Sequence, residues 1–237
     1  MMLQLDLAIG AYEPARRGGL DITSLRKHAL KVLDRTAQEI RSSPKMSQKQ
    51  SIVPEATFLF GGYSWIKKTF QMWTIAFDVE GGCFTAQPAH SIRYHLKANQ
   101  FVYSASKYLN TPETTAKIAF AGDQATEGRS RLAALLNSKY SAAGHFKGLN
   151  WEPFEVIRDM LRDPKHSETI GGAPQIVKVY QYFQAAPLAV YWPSRASGKV
   201  VLQGRPCLGY ERIDRWILDP NTLLSENPIY SASGERS

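Results

Sequence analysis

The chain predicts an α+β fold in which sheets and helices are stacked in layers, and three features carry that prediction. Segment Thr57–Glu80 is an apolar run ending in Gly61-Gly62, then a short basic link, then a second apolar run ending at an acidic turn. Segment Ile170–Phe183 is a glycine pair feeding a stretch that alternates apolar and polar residues. A helix-type spacing of apolar residues precedes each of these segments.

Taken in order, Met1–Gly19 reads as a weak strand or coil closed by the turn E-P-A-R-R-G-G. Asp21 or Thr23 caps a helix that runs to about Arg41. Its apolar residues Ile22, Leu25, Ala29, Val32, Leu33 and Ile40 form one stripe, with Arg26, Lys27, Lys31 and Arg35 mostly to the side. Pro44 and its polar neighbours break the helix into an exposed loop. Thr57–Gly62 and Gln71–Val79 have the aromatic and branched bias of strands. Glu80-Gly81-Gly82 turns into a third strand, Cys83–Gln87, which completes an antiparallel meander. Pro88–Glu113 reads as irregular, with a short helix around Asn99–Leu109.

Thr115–Ala121 is a strand ending in Gly122-Asp123, followed by a helix over about Gln124–Tyr140. Trp151-Glu152-Pro153 opens another helix to about Arg162, because proline is tolerated in a first turn. Asp163-Pro164 closes it. Gln175–Phe183 alternates as a strand with two unlike faces. Leu188–Trp192 and Lys199–Leu202 add two more, and the last residues read as a disordered tail.

At 237 residues and 43% hydrophobic, the chain is large enough for one sizeable core. No apolar run approaches a membrane-spanning length. The first ten residues lack a basic n-region and carry Asp6, which argues against a signal peptide. Two cysteines, Cys83 and Cys207, are too few for a disulfide framework and fit a reducing cytosol. Lys and Arg total 29 against 21 acids, a net charge of +8. These charges are scattered in singles and pairs, so a solvated basic surface is favoured over a nucleic-acid site.

Motifs that carry chemistry are scarce. No phosphate-cradling G-x-x-x-x-G-K-[ST] loop or G-x-G-x-x-G fingerprint occurs. His90 and His95 have no acid or cysteine at ligand spacing and read as surface residues rather than zinc ligands. His145 and His166 lie in loops and have the right chemistry for a general base, but no nucleophile motif accompanies them. The glycine pairs Gly61-Gly62 and Gly171-Gly172 mark turns or close backbone approach, which serves a ligand pocket or plain sheet packing. Gly122-Asp123 serves as a pocket floor or as a cap for the next helix.

The order helix, three meandering strands, strand ending in Gly-Asp, two helices, Gly-Gly, then strands resembles the later part of a proteasome β-type subunit. That family belongs to the N-terminal-nucleophile hydrolase superfamily. The stretches carrying the resemblance are A-T-F-L-F-G-G-Y-S through F-D-V-E-G-G, I-A-F-A-G-D, and P-F-E-V-I-R-D-M-L-R-D followed by T-I-G-G-A-P-Q-I-V-K-V-Y. They span roughly Asp21 to Leu202, with Pro88–Glu113 as an insertion. The resemblance implies an αββα sandwich, two antiparallel sheets between helix layers. It also implies a threonine-type peptidase or amidohydrolase. There the N-terminal residue is the nucleophile and its free amine the general base. Backbone amides near the middle of the chain form the oxyanion hole. Carried onto this chain, the pocket residues are Gly122, Asp123, Ser167, Gly171 and Gly172.

Two departures limit what the resemblance implies. The helix at Asp21–Arg41 resembles the family's second helix, so the sandwich is expected to be N-terminally incomplete and no catalytic residue is assigned. Thr23 opens a helix and does not substitute for the nucleophile. In S-E-T-I-G-G, Ser167 stands where the family has Asp and Ile170 where it has Ser. Serine has no charge at neutral pH and isoleucine no hydrogen-bonding group.

The expected organisation is an N-terminal strand or coil over 1–20, a partial αββα domain over 21–204, and a C-terminal extension over 205–237. The expected function is that of a cytoplasmic proteasome-like peptide or amide hydrolase relative, inactive alone. The alternatives are a non-catalytic scaffold or ring subunit and a basic nucleic-acid-binding domain. No metal or cofactor is expected. The expected partners are a second copy or a related subunit, through a bare sheet edge, and a peptide if the chain is active.

Overall fold

The computed structural model describes residues 11–13, 20–42, 55–95, 100–104, 115–140, 146–166, 169–181 and 184–227. Within them the chain folds as α+β, with helices set against antiparallel and mixed sheets. The expected strand or coil before residue 20 and the expected disordered tail lie largely outside the described residues.

The first unit is a helix on a meander. Helix α1 (Ile22–Arg41) starts at Asp21, whose carboxylate accepts from the Thr23 amide at 3.0 Å. Its buried face is Ile22, Leu25, Ala29, Leu33 and Ala37, one residue per turn. The predicted stripe also included Ile40, which is exposed. Strands β1 (Phe58–Ser64), β2 (Thr69–Asp78) and β3 (Cys83–Pro88) form the antiparallel sheet β1-β2-β3. Trp73, Ile75 and Phe84 meet the helix in two small clusters. Asp34 accepts from the Phe84 amide at 2.6 Å, and the Arg41 guanidinium lies 4.5 Å from the Phe77 ring centre. Gly62 allows close approach: a Cβ there would stand 2.9 Å from Ile22 Cδ1. Gly62 therefore serves helix-on-sheet packing, while a Cβ at Gly61 would stand 3.0 Å from the Gln71 carbonyl of the neighbouring strand.

The second unit overturns part of the sequence-based expectation. Pro88–Glu113 is not irregular where it is described. Strands β4 (His90–His95) and β5 (Gln100–Ser104) pair in register, and β6 (Thr115–Ile118) joins β4 on its other edge, giving the order β5-β4-β6. A strand thus replaces the predicted helix at 100–104. The reason lies in Phe101, which sits opposite Tyr94 with the rings 5.2 Å apart and edge-to-face. Helices α2 (Ala125–Lys139) and α3 (Glu152–Arg162) pack on this sheet. One contiguous core joins Ile92, Phe101, Leu132, Leu136, Phe146 and Met160. The Phe101 amide donates to Asn137 Oδ1 at 2.8 Å, and the half-buried Tyr103 hydroxyl donates to the Arg129 carbonyl at 2.9 Å. Burial pushes the Tyr103 phenol up to about 12, against the opposing charge of Arg129.

The third unit is a sheet built around β8 (Ala185–Tyr191). Strand β7 (Ile176–Val179) pairs with the first half of β8. β9 (Val200–Leu202) and β11 (Ile217–Leu218) flank the second half, with β10 (Arg205–Pro206) and β12 (Ser225–Glu226) outside them. The β8–β11 pair is parallel, so this sheet is mixed and not antiparallel as predicted. The chain reaches β11 by a crossover through β9 and β10, which a parallel pair requires. Phe154 of α3 packs on Val190 and Leu218. The predicted strand to Phe183 ends at Val179, and Val177 and Val179 stay exposed, so its two faces are not both covered.

Candidate functional site

The strand β6 ends at Ile118, three residues earlier than predicted, and Ala119–Ala121 continue without strand pairing. Gly122 then turns the chain at φ +99°, a conformation that strongly favours glycine. The Ala125 amide donates to the Gly122 carbonyl at 3.1 Å and starts α2. The capping position is Gln124, which makes no side-chain cap, so Asp123 is not the helix cap. Asp123 instead lies exposed on the rim of an apolar pocket.

That pocket encloses about 230 Å³ between the Ala119–Ala125 turn, α2, α3 and the loop at Ile170, with Leu59 of β1 completing its wall. Phe120, Ile157, Met160 and Ile170 also line it. Leu59 and Ile157 are about half exposed, so the mouth as well as the floor is apolar. Gly128 of α2 also lines it, and a Cβ there would stand 3.1 Å from the Phe120 ring. The missing side chain lets that ring lie against the helix.

A second loop is tied to the first. The His166 carbonyl accepts from the Thr169 and Ile170 amides at 3.0 and 2.9 Å. Gln124 Nε2 donates to Thr169 Oγ1 at 3.1 Å, joining the turn before α2 to the loop after α3. Gly172 has φ +82° and needs its glycine, while a side chain at Gly171 would meet nothing.

Beneath this junction lies a polar network that sequence spacing alone does not reveal. Arg131 donates to Glu127 Oε1 at 2.8 Å and to Asp163 Oδ2 at 3.0 Å. Its Nη2 lies 3.1 Å from Nε2 of the buried His166. The same Nε2 lies 3.6 Å from Glu127 Oε1 and 3.8 Å from Asp163 Oδ2. The hydrogen bond from Arg131, helped by the Lys165 amide, holds Asp163 below the usual carboxylate range. The imidazole is engaged with an arginine and two carboxylates, so it orders the α2–α3 junction. Glu127 and Arg131 at helical i, i+4 spacing were the available signal.

Of the residues expected at the site, the structure brings Gly122 and Asp123 to the pocket. Gly171 and Gly172 follow Ile170 directly but do not line it. Ser167 lies outside the described residues. Ile170, noted only as a departure from the family pattern, is a wall residue. Among the described residues lining the pocket there is no serine, threonine, cysteine or lysine. Among the described residues, no group of three or more His, Cys, Asp or Glu is placed to hold a metal ion, and no helix is long and apolar enough to cross a membrane. No protein-family model, curated protein or solved structure matches the chain.

Proposed function

We propose that the chain is a relative of the proteasome β-type subunits, within the N-terminal-nucleophile hydrolases, and that its apolar pocket takes a side chain of a peptide or amide. One observation carries this reading. The segments that carried the resemblance, around Leu59, Gly122-Asp123 and Ile170, converge on a single pocket although they are far apart in sequence. The αββα arrangement of the sheets and a cytosolic setting belong to the same proposal. The half-buried free thiols of Cys83 and Cys207 support the latter.

The described lining offers binding and no nucleophile, so the function it supports is capture of an apolar side chain. Burying one leucine-sized group contributes about 1.5–3 kcal/mol, so contacts to the peptide backbone have to add to it. Fluorescence anisotropy of a labelled, end-blocked leucine-rich peptide tests this with the full chain. Saturable binding is expected. Ile170→Asp, which introduces an unpaired charge into the wall, is expected to abolish it. Equal binding by wild type and variant sinks the proposal. Release of a fluorogenic leaving group would show instead that a nucleophile acts on this pocket.

A second reading, a subunit that assembles by its sheet edge, is favoured by β7, whose exposed Val177 and Val179 are followed by exposed Tyr180. Light scattering checks it: a monomer at all concentrations defeats it.

A further inference from the structure

A second cavity, of about 420 Å³, lies between the first turns of α1, the strand β2, the chain leaving β3, and β6. Its chemistry is opposite to that of the apolar pocket. Arg26, Lys27, Lys67 and Lys117 all line it, and no acid is among its lining residues. Arg26 is the best fixed of the four. Its guanidinium lies over the Trp73 ring, 4.6 Å from the centre, and its Nε is buried without a hydrogen-bond partner. A buried donor left unpaired is costly, and native structures seldom keep one without a use.

Arg41 lies on the Phe77 ring and Arg162 donates to the Pro193 carbonyl and Asn221 Oδ1. Arg35, Arg131, Arg158, Arg195, Arg205 and Arg212 each have a carboxylate oxygen within 3.1 Å. The cavity cations have no such partner among the described residues. Asp21, next to Thr23 in the lining, is already committed: its oxygens accept from Thr23, Ser64 and Ile66. Four positive charges around one cavity, with no acid among its lining residues, favour an anion there.

We propose that this cavity binds a small phosphate-bearing metabolite. A multivalent anion matches the four cations, and Arg26 offers the planar donor fork suited to phosphate oxygens. Gln71 adds a neutral side-chain amide donor, while Met72, Trp73 and Pro88 give an apolar wall for a small carbon skeleton. The volume falls within the range of small-ligand sites, about 300–1,000 Å³. A single concave pocket set by four elements favours a small ligand over a nucleic-acid strand, which needs an extended basic track. This inference does not depend on the peptide-binding proposal, because the two cavities share no lining residue.

Calorimetric titration of the full chain with sodium pyrophosphate, at physiological ionic strength, tests it. One saturable site is expected. Lys67→Glu and Lys117→Glu, both at exposed positions, are each expected to weaken binding by about tenfold or more. Lys178→Glu makes the same charge change away from the cavity and is expected to leave binding within about twofold. Arg26→Lys keeps the charge but loses the fork and the stack on Trp73, and a clear loss of affinity is expected. The proposal is overturned if pyrophosphate shows no saturable site, or if all three glutamate variants weaken binding alike. It is also overturned if a short single-stranded oligonucleotide displaces pyrophosphate and is itself weakened by Lys67→Glu and Lys117→Glu, since the occupant is then a nucleic acid.

Discussion

The α1–meander unit and the α2–α3 unit solve the same problem, covering one face of a three-stranded sheet with helix, in different ways. The first divides its core into two small clusters and adds polar ties: Asp34 to the Phe84 amide, and arginines stacked on Trp73 and Phe77. The second has one contiguous core centred on aromatic rings. Phe101 alone meets Tyr94, Tyr140 and Phe146 edge-on, at 5.2, 6.2 and 4.8 Å. The difference extends to the cavities. Lys117 of β6 reaches the cationic one, and the chain just beyond, from Ala119, lines the apolar one. One short segment therefore divides a charged recess from a greasy one.

The sharpest way to break this contrast is Phe101→Ala. Removing a fully packed ring from a contiguous core costs about 3–5 kcal/mol. Urea unfolding is expected to show that loss, with amide exchange rising first in β4, β5 and α2. Uniform exchange across α1 and the meander as well would mean that the two units do not differ in how they are held. A smaller effect is expected from Asp21→Ala, about 1–3 kcal/mol, since it removes a helix cap and leaves the buried Ser64 hydroxyl without its acceptor. Here the rise in exchange is expected in α1 and β1. A loss below about 0.5 kcal/mol would show that the polar ties contribute little to the first unit.

Much of this contrast was legible in the sequence, and its limits have physical causes. The α1 stripe, the Asp21 cap and the meander follow from spacing and turn chemistry that act locally. The β4–β5 pair was missed because Gln100–Ser104 is short and takes its conformation from its partner strand, where Phe101 packs on Tyr94. The parallel β8–β11 pair was missed for the same reason: Ile217-Leu218 is two residues long and takes its conformation from the sheet. At the site, Gly122-Asp123 was readable from the end of a strand. The wall role of Ile170 and the Arg131–His166 contact depend on how α2 and α3 meet. The cationic cavity was hidden because its four charges come from three separate parts of the chain and look scattered in one dimension.

The smallest expected effect concerns pH, and it compares the two helix starts directly. Each unit anchors a helix start with a buried carboxylate: Asp21 before α1, Glu152 at the head of α3. Burial pushes both upward, but hydrogen bonds outweigh it. Asp21 accepts from Thr23, Ser64 and Ile66, and Glu152 from the Asn150 amide and the Tyr140 hydroxyl, so both sit below the usual carboxylate range. A carboxyl lowered on folding adds stability at pH above its unfolded value, about 4. That stability is lost as the pH falls through the lower folded value. Acid is therefore expected to loosen both helix starts below about pH 4, and the two substitutions separate them. Asp21→Asn should flatten the acid-dependent rise in exchange at the start of α1 alone, and Glu152→Gln the rise at the start of α3 alone. If either substitution flattens both, the two starts are coupled and the units unfold as one.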